Sequence, residues 1–299
     1  MNEVKAEQEG QVAIETVPAP EVCENDVEAA GRGMVLSSFL ETQEYRRFAE
    51  FCEDCRHSHY IGICYGVPGV GKTCSARRYT KWEMIEPLLT NHGVVQPSLS
   101  PDNPRPRATF YTPKVTVTPK QMEQDFTLLR WSLQVIGEAA SKPLQETEMA
   151  VCVDLIDLLV IDEADRLKAL ALEVLRDVYD RSRMGVILVG MPGIEKWLAR
   201  YPQLYSRVGF VHQFRALGVE EQRKVIVEQV EQLGRWRQAP FPLESDALAA
   251  IIRMTGGNLR QLQQLLKQIE RIVQINPHVE TVSKKVVDVA REQLVFGRA

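Results

Sequence analysis

The sequence predicts an α/β fold, a parallel β-sheet flanked by helices, followed by a small all-helical domain. Three observations carry this. Short apolar runs at Ile61–Tyr65, Leu158–Ile161 and Val186–Val189 have the character of strands buried on both faces. Across residues 60–215 these runs alternate with helical patterns, the signature of a parallel sheet covered by helices. From Gly218 onward only helical periodicity remains. The expected division is a tail over residues 1–32, an α/β domain over 33–216 and a helical lid domain over 217–299.

A chain of 299 residues, 44% hydrophobic, can bury a substantial core. No run of eighteen apolar residues exists, and the N-terminus lacks a basic-then-apolar signal pattern, so a cytoplasmic location is expected. Six scattered cysteines fit reduced thiols. The net charge of −4 conceals an uneven distribution. Residues 1–30 carry eight acidic side chains and one Lys, and the remainder is mildly basic at +3. That body is compatible with nucleic-acid binding without demanding it. The acidic tail itself, without sustained periodicity, reads as disordered.

In chain order, apolar residues recur at helical spacing over Ser37–Arg56, with Thr42 as a candidate N-cap. The end of that helix holds Cys52, Cys55, His57 and His59, which invite a zinc reading. One short segment rarely wraps a tetrahedral ion, and both cysteines also fall on core positions of the helix. The strand Ile61–Tyr65 leads into Gly66–Thr73, which matches G-x-x-x-x-G-K-[ST]. A helix is expected over Ser75–Leu89, stopped near Pro87, and then a Pro/Ser/Asn-rich loop over 91–107. A short strand at Ala108–Thr112 follows, and Thr118-Pro119 opens another helix with Met122, Phe126, Leu129 and Leu133 on one face. A further helix is expected over Leu144–Leu155. After the strand Leu158–Ile161 come a helix over Leu167–Arg183, the strand Val186–Val189, a short helix over Gly193–Arg200 and a last strand over Phe210–Phe214. The lid helices are expected at Val219–Leu233, Ser245–Thr255, Asn258–Asn276 and Val282–Leu294.

The glycine loop has a definite chemistry. Glycines let the backbone wrap phosphate oxygens and aim its N–H groups inward. The helix start near Lys72 adds a positive dipole end. The expected nucleotide contacts are Gly66, Pro68, Gly69, Val70, Gly71, Lys72, Thr73 and Cys74. Lys72 would reach the β and γ phosphates, and Thr73 would offer its hydroxyl to Mg²⁺. Asp162 and Glu163 end the most apolar strand, where open α/β sheets place their chemistry. Asp162 would hold Mg²⁺ through a water and Glu163 would polarise the attacking water. The expected cofactors are therefore ATP and Mg²⁺, and the expected activity is ATP hydrolysis. The string Asp162-Glu163-Ala164-Asp165 also spells the DEAD-box helicase signature, but no second sheet domain accompanies it.

The order of these elements resembles the AAA+ ATPases. Within them the chain is most similar to the TnsC/TniB/MuB group of transposition regulators, through YIGICYGVPGVGKT, DLLVIDEADRL, VILVGMPGIEKWLARYPQLYSRVGF and TGGNLRQL, which span about residues 35–276. The resemblance implies that Arg207, in Ser206-Arg207, reaches the ATP of a neighbouring subunit, and that Arg260 at the lid helix start contacts its own subunit's nucleotide. A guanidinium suits either role, being always charged and bidentate toward phosphate. The plainer readings are a surface charge and a helix-start arginine paired with an acid. One departure stands out. Met191 occupies the end of a strand where the family usually offers a polar sensor side chain.

The resemblance further implies a homo-oligomer, ring or filament, on duplex DNA of any sequence, recruiting a transposase and a target-selection protein. Lys114, Thr116 and Lys120 lie in a basic, hydroxyl-rich run suited to phosphate contacts and are the expected DNA-binding residues. A polar strand–helix connection is the plainer alternative. Two other functions fit the same fold: a helicase loader or replication initiator, and a signalling or antiphage switch ATPase without DNA. Loaders and switches usually carry additional domains, and the absence of one after the lid favours the transposition reading at this level.

Overall fold

The computed structural model describes residues 39–89, 106–139, 156–237 and 241–295. The acidic tail, most of the Pro/Ser/Asn-rich loop and the helix expected over Leu144–Leu155 lie outside them. The described residues fall into two compact units. One is Phe39–Leu217 with Asn258–Arg260, and the other is Gly218–Gly257 with residues 261–295.

The first unit opens with α1 (Gln43–Ser58), whose N-cap is Thr42; the Thr42 hydroxyl accepts the Tyr45 N–H at 3.0 Å. The helix begins six residues later than periodicity suggests, because the capped turn fixes its start. It delivers the chain to β1 (Ile61–Tyr65). After the glycine loop come α2 (Lys72–Tyr79), α3 (Trp82–Ile85) and a 3-10 turn at Glu86–Leu88. The single helix expected over Ser75–Leu89 is thus broken. The Thr80 hydroxyl bonds back to the Ala76 and Arg77 carbonyls, and Lys81 turns left-handed at φ 55°. Next are β2 (Ala108–Tyr111), α4 (Pro119–Ala139), β3 (Leu158–Ile161), a 3-10 turn at Ala164–Arg166 and α5 (Ala169–Arg181). That turn displaces the start of the helix expected from Leu167. Then follow β4 (Gly185–Gly190), α6 (Ile194–Leu198), α7 (Pro202–Tyr205) and β5 (Val208–Gln213).

All five strands are parallel, in the order β2-β3-β4-β1-β5. β1, β3 and β4 are the inner strands, which is why they read as unbroken apolar runs. Edge strand β5 alternates half-buried and exposed residues, so its apolar signal begins two residues too late in the sequence. Alternate residues of the sheet feed two cores. On one face Cys64, Val160, Ile187 and Val189 pack with Phe48, Phe51, Trp82 and Ile85. On the other Ile63, Ile161 and Leu188 pack with Met122, Leu172, Leu175 and Ile194. Fully burying side chains of this size stabilises by about 1.5–3 kcal/mol each before entropy is counted. The fold is a P-loop parallel sheet flanked by helices, with additional helices forming a small lid-like region.

That second unit contains α8 (Val219–Arg237), α9 (Ser245–Thr255), most of α10 (Leu259–Ile275) and α11 (Lys284–Glu292). The Gln222 side-chain oxygen accepts the Gly257 N–H at 3.0 Å and lies 3.2 Å from the Thr255 hydroxyl. This ties α8 to the two left-handed glycines that end α9, Gly256 and Gly257. No described helix is long and apolar enough to cross a membrane.

Candidate functional site

Parallel strands bring the ends of β1, β3 and β4 to one edge of the sheet, and the loop Gly66–Thr73 lies there. Gly66 donates to the Gly190 carbonyl at 3.4 Å. A Cβ on Gly66 would sit 2.4 Å from the Phe214 carbonyl oxygen, so only glycine fits this close approach. Gly69 and Gly71 hold φ of 81° and 111°, the left-handed region that opens the loop into a cradle. Lys72 begins α2, and its ammonium donates to the Gly66 carbonyl and to the Val67 carbonyl at 3.0 Å. Burial pulls the Lys72 pKa down, while Asp162 and Asp165 act against that shift.

Asp162 is 4% exposed, and burial pushes its carboxyl up. A hydrogen bond from the Thr73 hydroxyl and one from the Glu163 N–H, at 2.9 Å, pull it back down. The two side chains expected to hold a divalent cation are therefore already joined to each other. A hard cation takes hydroxyl and carboxylate oxygens, so this donor set fits Mg²⁺. Glu163 sits at φ 48° on the exposed side of the turn, and its carboxylate pairs with Arg166. Arg166 also donates to the Pro113 carbonyl at 3.0 Å.

Arg260 lies beside the loop, with its backbone N–H on the Gly69 carbonyl at 3.0 Å and its exposed side chain close enough to lower the Lys72 pKa. Val70 is buried beneath the loop, and Cys74 is exposed on the first turn of α2. Pro68 presents its carbonyl to the Asn258 side-chain amide at 2.8 Å.

Arg207 is elsewhere. Its carbonyl accepts the Ile61 N–H at 3.1 Å, which places it at the opposite end of β1 from the loop. Five strand residues separate those ends by about 17 Å, beyond the reach of an arginine side chain. Its guanidinium is held by Asp180 in a bidentate pair at 2.6 and 2.7 Å and by the Gln203 carbonyl. Hydrogen bonding to Asp180 raises the Arg207 pKa further and lowers that of Asp180. Lys114, Thr116 and Lys120 are exposed just beyond the end of β2, on the same sheet edge as the loop. Val117 closes a turn there on the Lys114 carbonyl at 3.1 Å.

The Cys/His quartet is not assembled. Cys52 and Cys55 are buried in the core with their thiol pKa values raised by burial, Cys55 to about 12. His57 turns outward onto the Glu53 carbonyl, and His59 caps α1 in a left-handed conformation. The α1 periodicity decides this, sending both thiols inward. Among the described residues no three His, Cys, Asp or Glu side chains cluster as a metal site.

Four residues of this region were not picked out from the sequence. Asn258 braces Pro68, Arg166 pairs with Glu163, Asp180 holds Arg207, and Asp165 accepts the Met191 N–H at 2.9 Å. Only Asp165 had a signal, the missing polar group at Met191.

A phosphate loop after β1 and a buried aspartate after β3, separated in the sheet by β4, define a P-loop ATPase. Comparison with known proteins narrows the class. A model of the AAA domain family matches residues 55–198. A "Potential ATP-binding protein" of Staphylococcus aureus is 38% identical over 270 residues, spanning 87% of this chain and 97% of that protein. Among solved structures, RuvB of Thermotoga maritima, described as a Holliday junction branch migration motor, superposes with a TM-score of 0.53 at 16% identity over 87% of this chain and 71% of its own. The ORC2 protein of Aeropyrum pernix gives a TM-score of 0.53 at 15% identity over 90% and 73%. The chain carries an AAA ATPase domain and is a relative of that ATP-binding protein; it binds and hydrolyses ATP.

Proposed function

We propose that this AAA+ ATPase assembles on duplex DNA as a homo-oligomer, with ATP and Mg²⁺ at the subunit interfaces and hydrolysis releasing the assembly. In this reading Gly66–Cys74 enclose the phosphates, Lys72 neutralises the β and γ oxygens, and Thr73 and Asp162 hold the metal. Glu163 polarises the attacking water, and Arg260, held beside the loop, approaches the nucleotide. The observation that carries it is the separation of Arg207 from its own loop. An arginine at the far end of β1 has nothing to do in its own site, whereas a head-to-tail neighbour would receive it.

DNA is supported by the exposed Lys114, Thr116 and Lys120 at the loop edge of the sheet, a mix suited to phosphate contacts. It is supported too by the shared fold with a Holliday junction motor. Two finer tasks remain. The sequence strings point to a transposition regulator recruiting a transposase and a target-selection protein. The likeness in fold to RuvB and to an ORC2 protein favours a helicase loader or initiator, and we place that reading first.

The test is assembly on duplex DNA of random sequence with ATP, followed by electron microscopy and hydrolysis assays. Wild-type protein should assemble with ATP, and Glu163→Gln should bind ATP, lose turnover at least a hundredfold and stay assembled. Monomers under every condition would refute the oligomer. Capture of a replicative helicase or of a transposase by the locked Glu163→Gln complex separates the two finer tasks.

A further inference from the structure

We infer that Asp165 is a positioning residue for hydrolysis, tying the turn that carries Glu163 to the tip of β4. The inference rests on the assignment of Glu163 as the water-polarising group.

Glu163 has a left-handed backbone, φ 48°, which a residue with a Cβ adopts only when its surroundings hold it there. Three hydrogen bonds do so. The Asp162 carboxylate accepts the Glu163 N–H at 2.9 Å. The Arg166 guanidinium donates to the Pro113 carbonyl at 3.0 Å, fixing the turn to the chain leaving β2. The Asp165 carboxylate accepts the Met191 N–H at 2.9 Å, fixing it to the chain leaving β4. Because β3 lies between β2 and β4, the turn is braced from both sides.

The β4 tip has little else to offer. The Met191 side chain has no hydrogen-bond donor and is 41% exposed, and Pro192 has no N–H. The polar side chain at this tip is Asp165, which reaches in from the turn after β3. The approach depends on Gly190, where a Cβ would fall 2.6 Å from the Asp165 carboxylate oxygen. Gly190 also accepts the Gly66 N–H through its carbonyl, so the tip links the Glu163 turn directly to the phosphate loop. Displacing a catalytic group by about 1 Å costs on the order of a hundredfold in rate, so this brace bears on turnover rather than on nucleotide affinity.

The test is steady-state ATP hydrolysis by the full chain, with nucleotide affinity measured separately by titration with a fluorescent ADP analogue. Asp165→Ala should lower kcat ten- to a hundredfold while KM and the ADP Kd stay within twofold. Asp165→Asn, whose amide oxygen can still accept the Met191 N–H, should recover kcat to within about threefold of wild type. A kcat for Asp165→Ala within twofold of wild type overturns the inference, and so does an equal loss in Asp165→Asn, which would assign the effect to charge. Should Asp165→Ala fail to fold, Asp165→Glu takes its place: its longer side chain crowds Gly190 and should lower kcat, and wild-type turnover would overturn the brace. Glu163→Gln in the same assay separates the two claims. If it turns over normally, the Glu163 assignment falls and this inference with it; if it is inactive while Asp165→Ala is not, only the brace falls.

Discussion

Arg207→Ala is the sharpest perturbation, because geometry forbids this side chain from serving its own subunit. On the proposed reading, the about 17 Å between the two ends of β1 assigns this side chain to a neighbour's nucleotide. An arginine supplied across an interface to a transferring phosphoryl group is worth about 10³–10⁵ in rate, so Arg207→Ala should lose at least a thousandfold in turnover. Affinity of the isolated subunit for nucleotide should not change, since no loop group touches Arg207. Lys72→Ala is the complementary lesion, with an intact arginine and a dead loop. In an equal mixture, each head-to-tail interface pairs a loop that is intact half the time with an arginine that is intact half the time. About a quarter of the interfaces are then complete, so the mixture should show roughly a quarter of wild-type activity although each variant alone is inactive. The assay is phosphate release with DNA present, at fixed total protein and varied mixing ratio. A mixture that never exceeds the sum of its parts refutes the shared site. Arg207 would then be a structural partner of Asp180 on the surface of α5.

Replacing both Lys114 and Lys120 by Ala should reduce the slope of log affinity against log salt for duplex DNA by about 1.8, measured by fluorescence anisotropy; an unchanged slope puts the phosphate contacts elsewhere. Gly69→Ala would push a Cβ to 2.4 Å from the Asn258 side-chain oxygen at a φ of 81°, and should weaken nucleotide binding more than tenfold by titration. Affinity within twofold of wild type would mean the loop can open without cost. His212, stacked on Phe51 with Nε2 3.1 Å from a Glu44 carboxylate oxygen, has its pKa lowered by burial. The unfolded chain then takes up a proton first as pH falls, so stability should drop below the ordinary His value near 6.5. Thermal melting at a series of pH values should show that limb in the wild type and less of it in His212→Gln, and parallel curves would dismiss His212 as its source.

The sequence by itself determined the sheet and half of the site. Inner strands β1, β3 and β4 are buried on both faces, so they appear as apolar runs, β1 and β3 to the residue and β4 short by the glycine at each end. The loop and the acid pair are legible because their chemistry needs fixed types at fixed local spacing. Local signals failed where a side chain overrode periodicity, as when Thr80 and Lys81 broke the helix after the loop. Cys52 and Cys55 fall on core positions of the α1 periodicity, against the ligand spacing they also show, and both are buried in the core. Only the tertiary structure decided the relations across strands. It put Arg207 at the wrong end of β1 for its own loop, in the grip of Asp180, and laid Asp165 on the Met191 N–H. Such pairs join residues 26 or 27 positions apart through strand order and register. A parallel sheet brings distant segments to one edge, and no spacing along the chain encodes which side chains meet there.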